Sequence, residues 1–448
     1  MSSGRQEMVT RILAQGGNVD SERIDAAGSL FNSLCDRLSR AEVQPGELVV
    51  LSGLQGRNLL VAAMAVWRLD AVPMPVPETD PSFDGAPAQF VRGACRITAD
   101  LSVAPAAPGR WAEALDTTAV LHLSSGSTDR PKVARRGVAS VLYDAEGYRA
   151  GLGLVPGDRV AVPVPLVHSF GWGVAISALL SGCDLDVTPF VRASTLARKT
   201  DSGAVSVLAL TPPLARLLVE TRRQGTSTPR AAMAGAGQVP DELNEAFQKR
   251  FGLPLLRGYG STETGGTFFG DRGMGRPVPG VDIVKPPPGE RGELILRLAA
   301  PMEGYLGDNQ GPTQEWRTGD VVRHDTDGSV YFEERVRGPL RLNGKFIRTD
   351  ITEKALRSVL GVTDVFPLIL PRNDSPETED FYAVVEGDAA KQDLLVALAG
   401  CPAGTPLPRV VVCRKLPRTT VGKHDRDALI ETVRRMSRDA KFRTAPRE

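Results

Sequence analysis

The sequence predicts an α/β protein: a large N-terminal domain of mixed and parallel sheets with helices, a β-rich subdomain, and a small α+β C-terminal domain. Three observations predict it. Short β-rich runs alternate with helical patterns through the first two thirds of the chain, the sequence form of a sheet covered by helices. Beyond residue 253 glycine becomes dense (Gly258, Gly260, Gly265, Gly266, Gly270, Gly273, Gly275, Gly280) and strand and turn signals take over. The length of 448 residues exceeds what one hydrophobic core usually supports, so at least two domains are expected.

Residues 47–51 read as a strand, 58–69 as a buried helix and 71–76 as a strand whose prolines place it at a sheet edge. An apolar strand covers 119–123. The alternation continues as strand 158–165, helix 171–181 and strand 184–189. Strand 204–210 runs into Thr211-Pro212-Pro213, where threonine is the expected N-cap and proline suits the first helical position. Strand 231–234 and helix 241–251 follow. Strand 292–299 and a hairpin over 321–334, turning at Asp327-Gly328, belong to the β-rich part. A boundary near 334–337 gives domains 1–334 and 335–448. The second opens on a hairpin at Asn343-Gly344 and a helix from Asp350, where Glu353 completes a capping box. The basic tail 433–448 reads as a solvated helix face or as a docking segment.

Composition limits the function. With 42% apolar and 24% charged residues the chain is an ordinary globular protein. Fifty-four basic against 53 acidic side chains give a net charge of +1, which argues against a chain-wide nucleic-acid or membrane-surface role. The five cysteines (Cys35, Cys95, Cys183, Cys401, Cys413) form no ligand or disulfide pattern and read as reduced packing residues. Residues 1–17 contain no apolar run of the secretory type, and the longest apolar stretch, 59–67, is far below the ~20 residues needed to span a bilayer. A soluble cytoplasmic protein is expected, with neither nucleic acid nor membrane as partner.

Two segments carry the chemistry. In the first, the apolar strand runs into Ser124, Ser125, Gly126, Ser127 and Thr128, followed by Arg130 and Lys132. Hydroxyls and backbone N–H groups at a tight turn beside cations make an anion cradle; taken alone, the segment reads equally as a polar surface loop. The P-loop spacing is not met, since no Gly-Lys pair follows. The second segment, Gly258 to Gly266, is a flexible glycine frame bearing Tyr259, Thr262 and Glu263. The ring suits stacking on a planar ligand, the hydroxyl a phosphate, and the carboxylate Mg²⁺, which prefers oxygen ligands; an isolated glycine loop is also commonly structural. Glu263 stands where a third glycine would complete G-x-G-x-x-G, so a dinucleotide site is disfavoured. Further along, Thr318-Gly319-Asp320 places a carboxylate on a tight turn suited to ribose hydroxyls. Arg335 lies at the domain junction, and Lys423 sits in a loop before a helix. Each of these three, by itself, reads as well as a surface feature.

The ordered set resembles the core motifs of the adenylate-forming superfamily: acyl- and aryl-CoA synthetases, stand-alone adenylation domains and luciferases. The hydroxyl loop ending in Pro131-Lys132 resembles its phosphate loop. Pro165 to Gly171 resembles its His-containing substrate motif, and Gly235-Ala236-Gly237 its adenine-side loop. Gly258 to Glu263 is similar to the aromatic-Gly-x-Thr-Glu motif and Thr318 to Asp320 to the ribose turn. Arg335 to Ile347 resembles the hinge and its hairpin, and Leu416 to Arg426 the terminal lysine motif. The likeness runs in order from about Gly46 to Ile430.

The resemblance implies ATP-dependent activation of a carboxylic acid as an acyl-adenylate, with pyrophosphate release and then transfer to a thiol of coenzyme A or of a carrier protein's phosphopantetheine arm. It implies that Ser124, Ser125, Gly126, Ser127, Thr128 and Lys132 hold the β- and γ-phosphates. Tyr259 and Gly260, with Gly235, Ala236 and Gly237, would form the adenine side. Thr262 would touch the α-phosphate, Glu263 would ligate Mg²⁺, and Asp320 and Arg335 would fix the ribose. Lys423 would bridge carboxylate and α-phosphate once a mobile C-terminal domain, hinged at Arg337, closes. His168 would orient the acid, in a pocket lined by Phe170, Trp172, Gly258, Gly265 and Gly266. No carboxylate follows His168 to hold an ammonium group, which favours a non-amino acid.

The chain departs from the family pattern at Asp129 and Val133, where glycine is usual, at the hinge residue Arg337 and at Arg341 in place of a lysine. Two alternatives therefore stand: transfer of the adenylate to an amine or other nitrogen nucleophile, and a degenerate homologue that binds nucleotide without turnover.

Overall fold

The computed structural model describes residues 3–442 apart from 24–29, 78–94, 106–114, 125–131, 189–190, 224, 309–310, 336–339, 344, 348, 373, 403 and 418–425. It divides into two units, Met1–Arg337 and Gly338–Glu448. In the first, helix Gly56–Arg68 is buried continuously from Leu59 to Trp67, as an all-apolar helical surface requires. Trp67 satisfies its one polar atom by donating Nε1–H to the Ala119 carbonyl at 2.7 Å. Strands Leu48–Ser52 and Val72–Val76 pair in parallel. The proline-bearing strand lies at the end of its sheet, as its sequence requires.

A second sheet is parallel through its middle, in the order Asp184–Asp186, Arg159–Ala161, Val207–Leu210, Ala231–Ala234 and Leu256–Ser261. Several of these strands are shorter than the sequence suggests. The expected strand 158–165 pairs only over Arg159–Ala161, because Pro163 and Pro165 have no N–H to give to a ladder. The expected strand 184–189 ends at Asp186, whose carboxylate takes the Thr188 N–H and hydroxyl and turns the chain. The helix after Thr211 starts as read, with proline in its first turn, but the Thr211 side chain makes no capping bond.

The glycine segment is not a loop. Leu256–Ser261 pairs antiparallel with Gly265–Gly270, with a register shift between Tyr259 and Gly260. A Cβ on Gly260 would stand 2.0 Å from the Gly265 carbonyl oxygen, and Gly265 has φ +72°, so glycine is what lets the two strands close.

The β-rich part is an antiparallel sheet of Val281–Lys285, Glu290–Leu298, Glu315–His324 and Val330–Arg335, packed on Leu294, Leu296, Val322 and Val330. Residues 318–320, read from sequence as a tight turn, lie inside the strand Glu315–His324. The register passes from Arg317↔Ile295 to Val321↔Glu293, so three residues stand against Leu294 alone. They form a bulge, stabilised by the Thr318 hydroxyl, which donates to the Leu294 carbonyl at 2.9 Å and accepts the Asp320 N–H at 3.1 Å.

In the second unit, Val362–Pro371 pairs antiparallel with Glu379–Gly387, which pairs in parallel with Arg409–Cys413. Val385 packs against Leu356, Leu394 and Leu398 on one face, and Val384 against Leu429 and Val433 on the other, the period-2 alternation of a two-sided sheet. The expected capping box at Asp350 is not formed. Thr349 is the N-cap, and Glu353 takes the Thr349 hydroxyl at 2.7 Å instead of a backbone N–H. The hairpin strands Arg341–Leu342 and Lys345–Phe346 pair antiparallel, with Asn343 at φ +52°. All five cysteines are free thiols. Among the described residues no helix is long and apolar enough to cross a membrane.

Candidate active site

Ser124 closes strand Thr118–Ser124, and Lys132 opens strand Lys132–Gly137. The two residues are cross-strand partners, so both ends of the hydroxyl loop meet. Ser125, Gly126, Ser127 and Thr128, with Asp129, lie outside the described residues. Ser124 is buried, and its hydroxyl donates to Glu263 Oε1. The same oxygen accepts the Tyr305 hydroxyl at 2.9 Å, and the Lys132 ammonium lies 4.7 Å from the Tyr305 ring centroid. Burial, and then the Glu263 carboxylate, push the Tyr305 phenol well above its ordinary range, so it remains a donor. A cavity of about 130 Å³ opens here, lined by Lys132, Glu263, Tyr305, Asp308, Thr313 and Trp316 among others.

Sequence reasoning missed Tyr305. Its one signal is a glycine-flanked aromatic, Gly304-Tyr305-Leu306-Gly307, resembling Gly258-Tyr259-Gly260. Glu263 fits Mg²⁺: it is a hard carboxylate on a cavity wall beside a lysine, and Mg²⁺ commonly takes one or two protein carboxylates and fills its shell with phosphate and water. Among the described residues no cluster of three acidic, histidine or cysteine side chains could cage a metal alone.

Tyr259 is fixed at both ends. Its hydroxyl donates to Asp320 Oδ2 at 2.5 Å, and its ring meets Phe268 edge-on at 5.7 Å. Asp320 is buried, and its backbone pairs with Arg335 across the neighbouring strand. Gly235, Ala236 and Gly237 follow strand Ala231–Ala234 at the carboxyl end of the parallel sheet, where α/β folds bind ligands. The Gly235 N–H donates to the Leu210 carbonyl at 3.1 Å, and Ala236 adopts φ +60°, a strained conformation for alanine.

His168 is the N-cap residue of helix Ser169–Leu180. Phe170 lies over Gly235, where a Cβ would stand 2.9 Å from its ring, and 6.4 Å from the Tyr148 ring. A Cβ on Gly266 would in turn meet Tyr148 at 3.0 Å, so Phe170, Tyr148, Gly235 and Gly266 gather at one place. Trp172 does not join them. It is fully buried between Trp67 and His122, both edge-on, at 5.7 and 5.4 Å. A Cβ on Gly258 would meet Met233 at 2.5 Å, so that glycine serves close packing. Arg337 and Lys423 lie outside the described residues.

Two buried charges, also missed, flank the turn that carries Glu263. Arg136 donates to the Ser140 hydroxyl at 2.6 Å and to the Thr262 carbonyl at 3.1 Å. Asp144 accepts the Gly266 N–H at 2.8 Å and lies 3.7 Å from the Arg136 guanidinium. Burial pushes the Asp144 carboxyl up to about 6, against the pull of Arg136 and the Gly266 N–H.

His122 is a third buried polar group, pushed down to about 3 by burial, then by Arg136 and His168. Neither of its ring nitrogens has a hydrogen-bond partner among the described residues. An unfolded histidine binds its proton near pH 6.5, and this one does so only near 3. Native stability is therefore lost as pH falls through that window, by about 3 kcal/mol between pH 6.5 and 4. In urea unfolding at pH 7 and pH 4, His122→Phe is expected to lose less stability on acidification than the parent by about that amount. An equal acid loss in both proteins would refute the assignment.

The fold defines a class, the α/β fold of adenylate-forming enzymes. A sequence model of the AMP-binding enzyme family matches residues 87–306, and the chain belongs to the adenylate-forming superfamily. The 3-hydroxybenzoate–CoA/4-hydroxybenzoate–CoA ligase of Thauera aromatica is 25% identical over 345 residues, 69% of this chain and 65% of that one. The feruloyl-CoA synthase of an Amycolatopsis species is 25% identical over 441 residues, 87% of this chain and 89% of that one. The chain spans 50% to 65% of the length of several other ligases it matches. Among solved structures, the amide bond synthetase McbA from Marinactinospora thermotolerans has a TM-score of 0.75 at 19% identity, covering 94% of this chain and 98% of that one. At that identity the likeness is one of fold.

Proposed function

We infer that the chain activates a non-amino carboxylic acid, aryl or acyl, with ATP, forming an acyl-adenylate and pyrophosphate, and passes the acyl group to a thiol of coenzyme A or a carrier protein. The observation that carries this reading is the cavity lined by Lys132, Glu263 and Tyr305, in which the Glu263 carboxylate is held by the Ser124 and Tyr305 hydroxyls. The step brings two anions together, so its barrier is electrostatic and is lowered by cations and donors already in place.

In this reading Lys132 and the hydroxyls of Ser124, Ser125, Ser127 and Thr128 take the β- and γ-phosphates. Glu263 would hold Mg²⁺, which would supply positive charge toward the leaving pyrophosphate. Tyr305 keeps the Glu263 carboxylate aimed into the cavity. Tyr259 offers a fixed ring beside the adenine, Asp320 accepts from ribose hydroxyls and Arg335 donates to them. His168 orients the acid, with Phe170 against its acyl part. Lys423, the lysine of the small domain's terminal motif, supplies positive charge between carboxylate and α-phosphate. The relatives include an aryl-CoA ligase and an amide bond synthetase, whose names differ in the acceptor.

Pyrophosphate release with ATP, Mg²⁺ and a panel of aryl and acyl acids tests the first step. Acid-dependent release is expected, and its absence with every acid would support a degenerate nucleotide binder. With the best acid, product masses after adding coenzyme A, phosphopantetheinylated carrier protein or a primary amine distinguish the acceptors. A thioester is expected, and an amide formed in its place would overturn the thiol assignment.

A further inference from the structure

The turn 262–264 that carries Glu263 is braced internally. The Thr264 hydroxyl accepts the Ser261 N–H at 3.1 Å, and the Ser261 hydroxyl accepts the Thr264 N–H at 3.3 Å. Those bonds set its shape. Its place in the protein is set by groups on other elements, and two of these are charges that the mechanism above does not use.

Arg136, on strand Lys132–Gly137, and Asp144, on helix Val138–Leu152, are 2% and 6% exposed. Arg136 holds the carbonyl of Thr262, the residue before Glu263, and Asp144 holds the N–H of Gly266, three residues after it. The two shoulders of the turn are thus gripped by opposite charges that face each other at 3.7 Å. The space is shaped for the carboxylate: a Cβ on Gly265 would stand 2.5 Å from Asp144 Cγ, and one on Gly173 2.9 Å from its Oδ2. Glycines on two separate elements clear the volume that this one side chain fills. A buried ion pair is a costly way to stabilise a fold, and apolar residues of similar size often serve as well or better. Here both charges bind backbone groups on either side of one turn, which points to a role in its position.

We propose that Arg136 and Asp144 are positioning residues that fix the Glu263 carboxylate where a phosphate-bound Mg²⁺ needs it. This rests on the reading of Glu263 given under the proposed function. Outer-sphere partners of metal ligands typically change metal affinity by about 10- to 100-fold when removed, and that sets the expected size.

The experiment titrates α,β-methylene-ATP by calorimetry into the full-length protein, once with Mg²⁺ and once with EDTA. The variants are Asp144→Asn, Arg136→Lys, Arg136→Met and the double variant Arg136→Met/Asp144→Asn, which leaves neither charge buried alone. With Mg²⁺ the double variant and Arg136→Met are expected to bind about tenfold or more weakly, while binding in EDTA changes by less than about twofold. Arg136→Lys is expected to recover most of the Mg²⁺-dependent affinity, because it restores a donor and a positive charge beside Asp144. Equal weakening with and without Mg²⁺ would overturn the proposal, as a generally loosened site loses both. Parent-like binding by the folded double variant would overturn it as well, and that variant guards against Arg136→Met simply failing to fold. If the parent protein itself shows no Mg²⁺-dependent binding, the reading of Glu263 fails first, and the two failures are told apart.

Discussion

Lys423→Ala is expected to lower acyl-adenylate formation by ~10²–10³-fold, the size seen when one preorganised donor to a developing charge is removed. The attack joins a carboxylate oxygen to the α-phosphorus, and negative charge shared between them grows until the pyrophosphate leaves. A lysine ammonium there stabilises the transition state more than either bound anion, so the loss falls on turnover and leaves binding of ATP and acid nearly unchanged. Lys423→Arg keeps the charge but not the compact ammonium head, and is expected to recover only part of the rate. Single-turnover formation of the adenylate measures this directly. If Lys423→Ala made adenylate at the parental rate, the lysine would have no part in the step.

Glu263→Gln is expected to reduce acid-dependent pyrophosphate release by about 10²-fold or more, the loss of a transition-state charge contact. The amide keeps the shape of the carboxylate and one oxygen to accept from Ser124 or Tyr305, donors that reach Glu263 among the described residues. It loses the negative charge that Mg²⁺ needs. Raising Mg²⁺ should therefore recover part of the lost rate, and thermal unfolding should move little. A variant with parental activity at low Mg²⁺ would remove Glu263 from the metal site.

The α/β architecture was legible because fully buried elements leave continuous apolar runs in the sequence. The helix at 56–68 and the parallel strands are apolar runs, and the turns at 327–328 and 343–344 are marked by residues that tolerate positive φ. Ser124, Lys132 and Glu263 were legible as types in an order, and the fold brings Lys132 and Glu263 to one cavity, with Ser124 bonded to the Glu263 carboxylate. The bulge at 318–320 was not, because a bulge is defined by its partner strand, and Thr318-Gly319-Asp320 reads locally as a turn. Trp172 read as a pocket residue because an aromatic near a substrate motif looks the same whether it faces a ligand or, as here, Trp67 and His122. Arg136 and Asp144 gave no signal, and Tyr305 only a glycine-flanked aromatic, because the groups at the site that they hold lie 126, 122 and 42 residues away. Side chains that hold groups distant in sequence leave no local pattern.

The most direct measurement of the adenylation chemistry is exchange of labelled pyrophosphate into ATP, run with Mg²⁺ and the best acid but with no thiol or amine. Reversible adenylate formation predicts label in ATP only when acid and Mg²⁺ are both present, with little exchange in Lys423→Ala. Exchange that needs no acid, or nucleotide turnover that yields ADP instead of AMP, would contradict it.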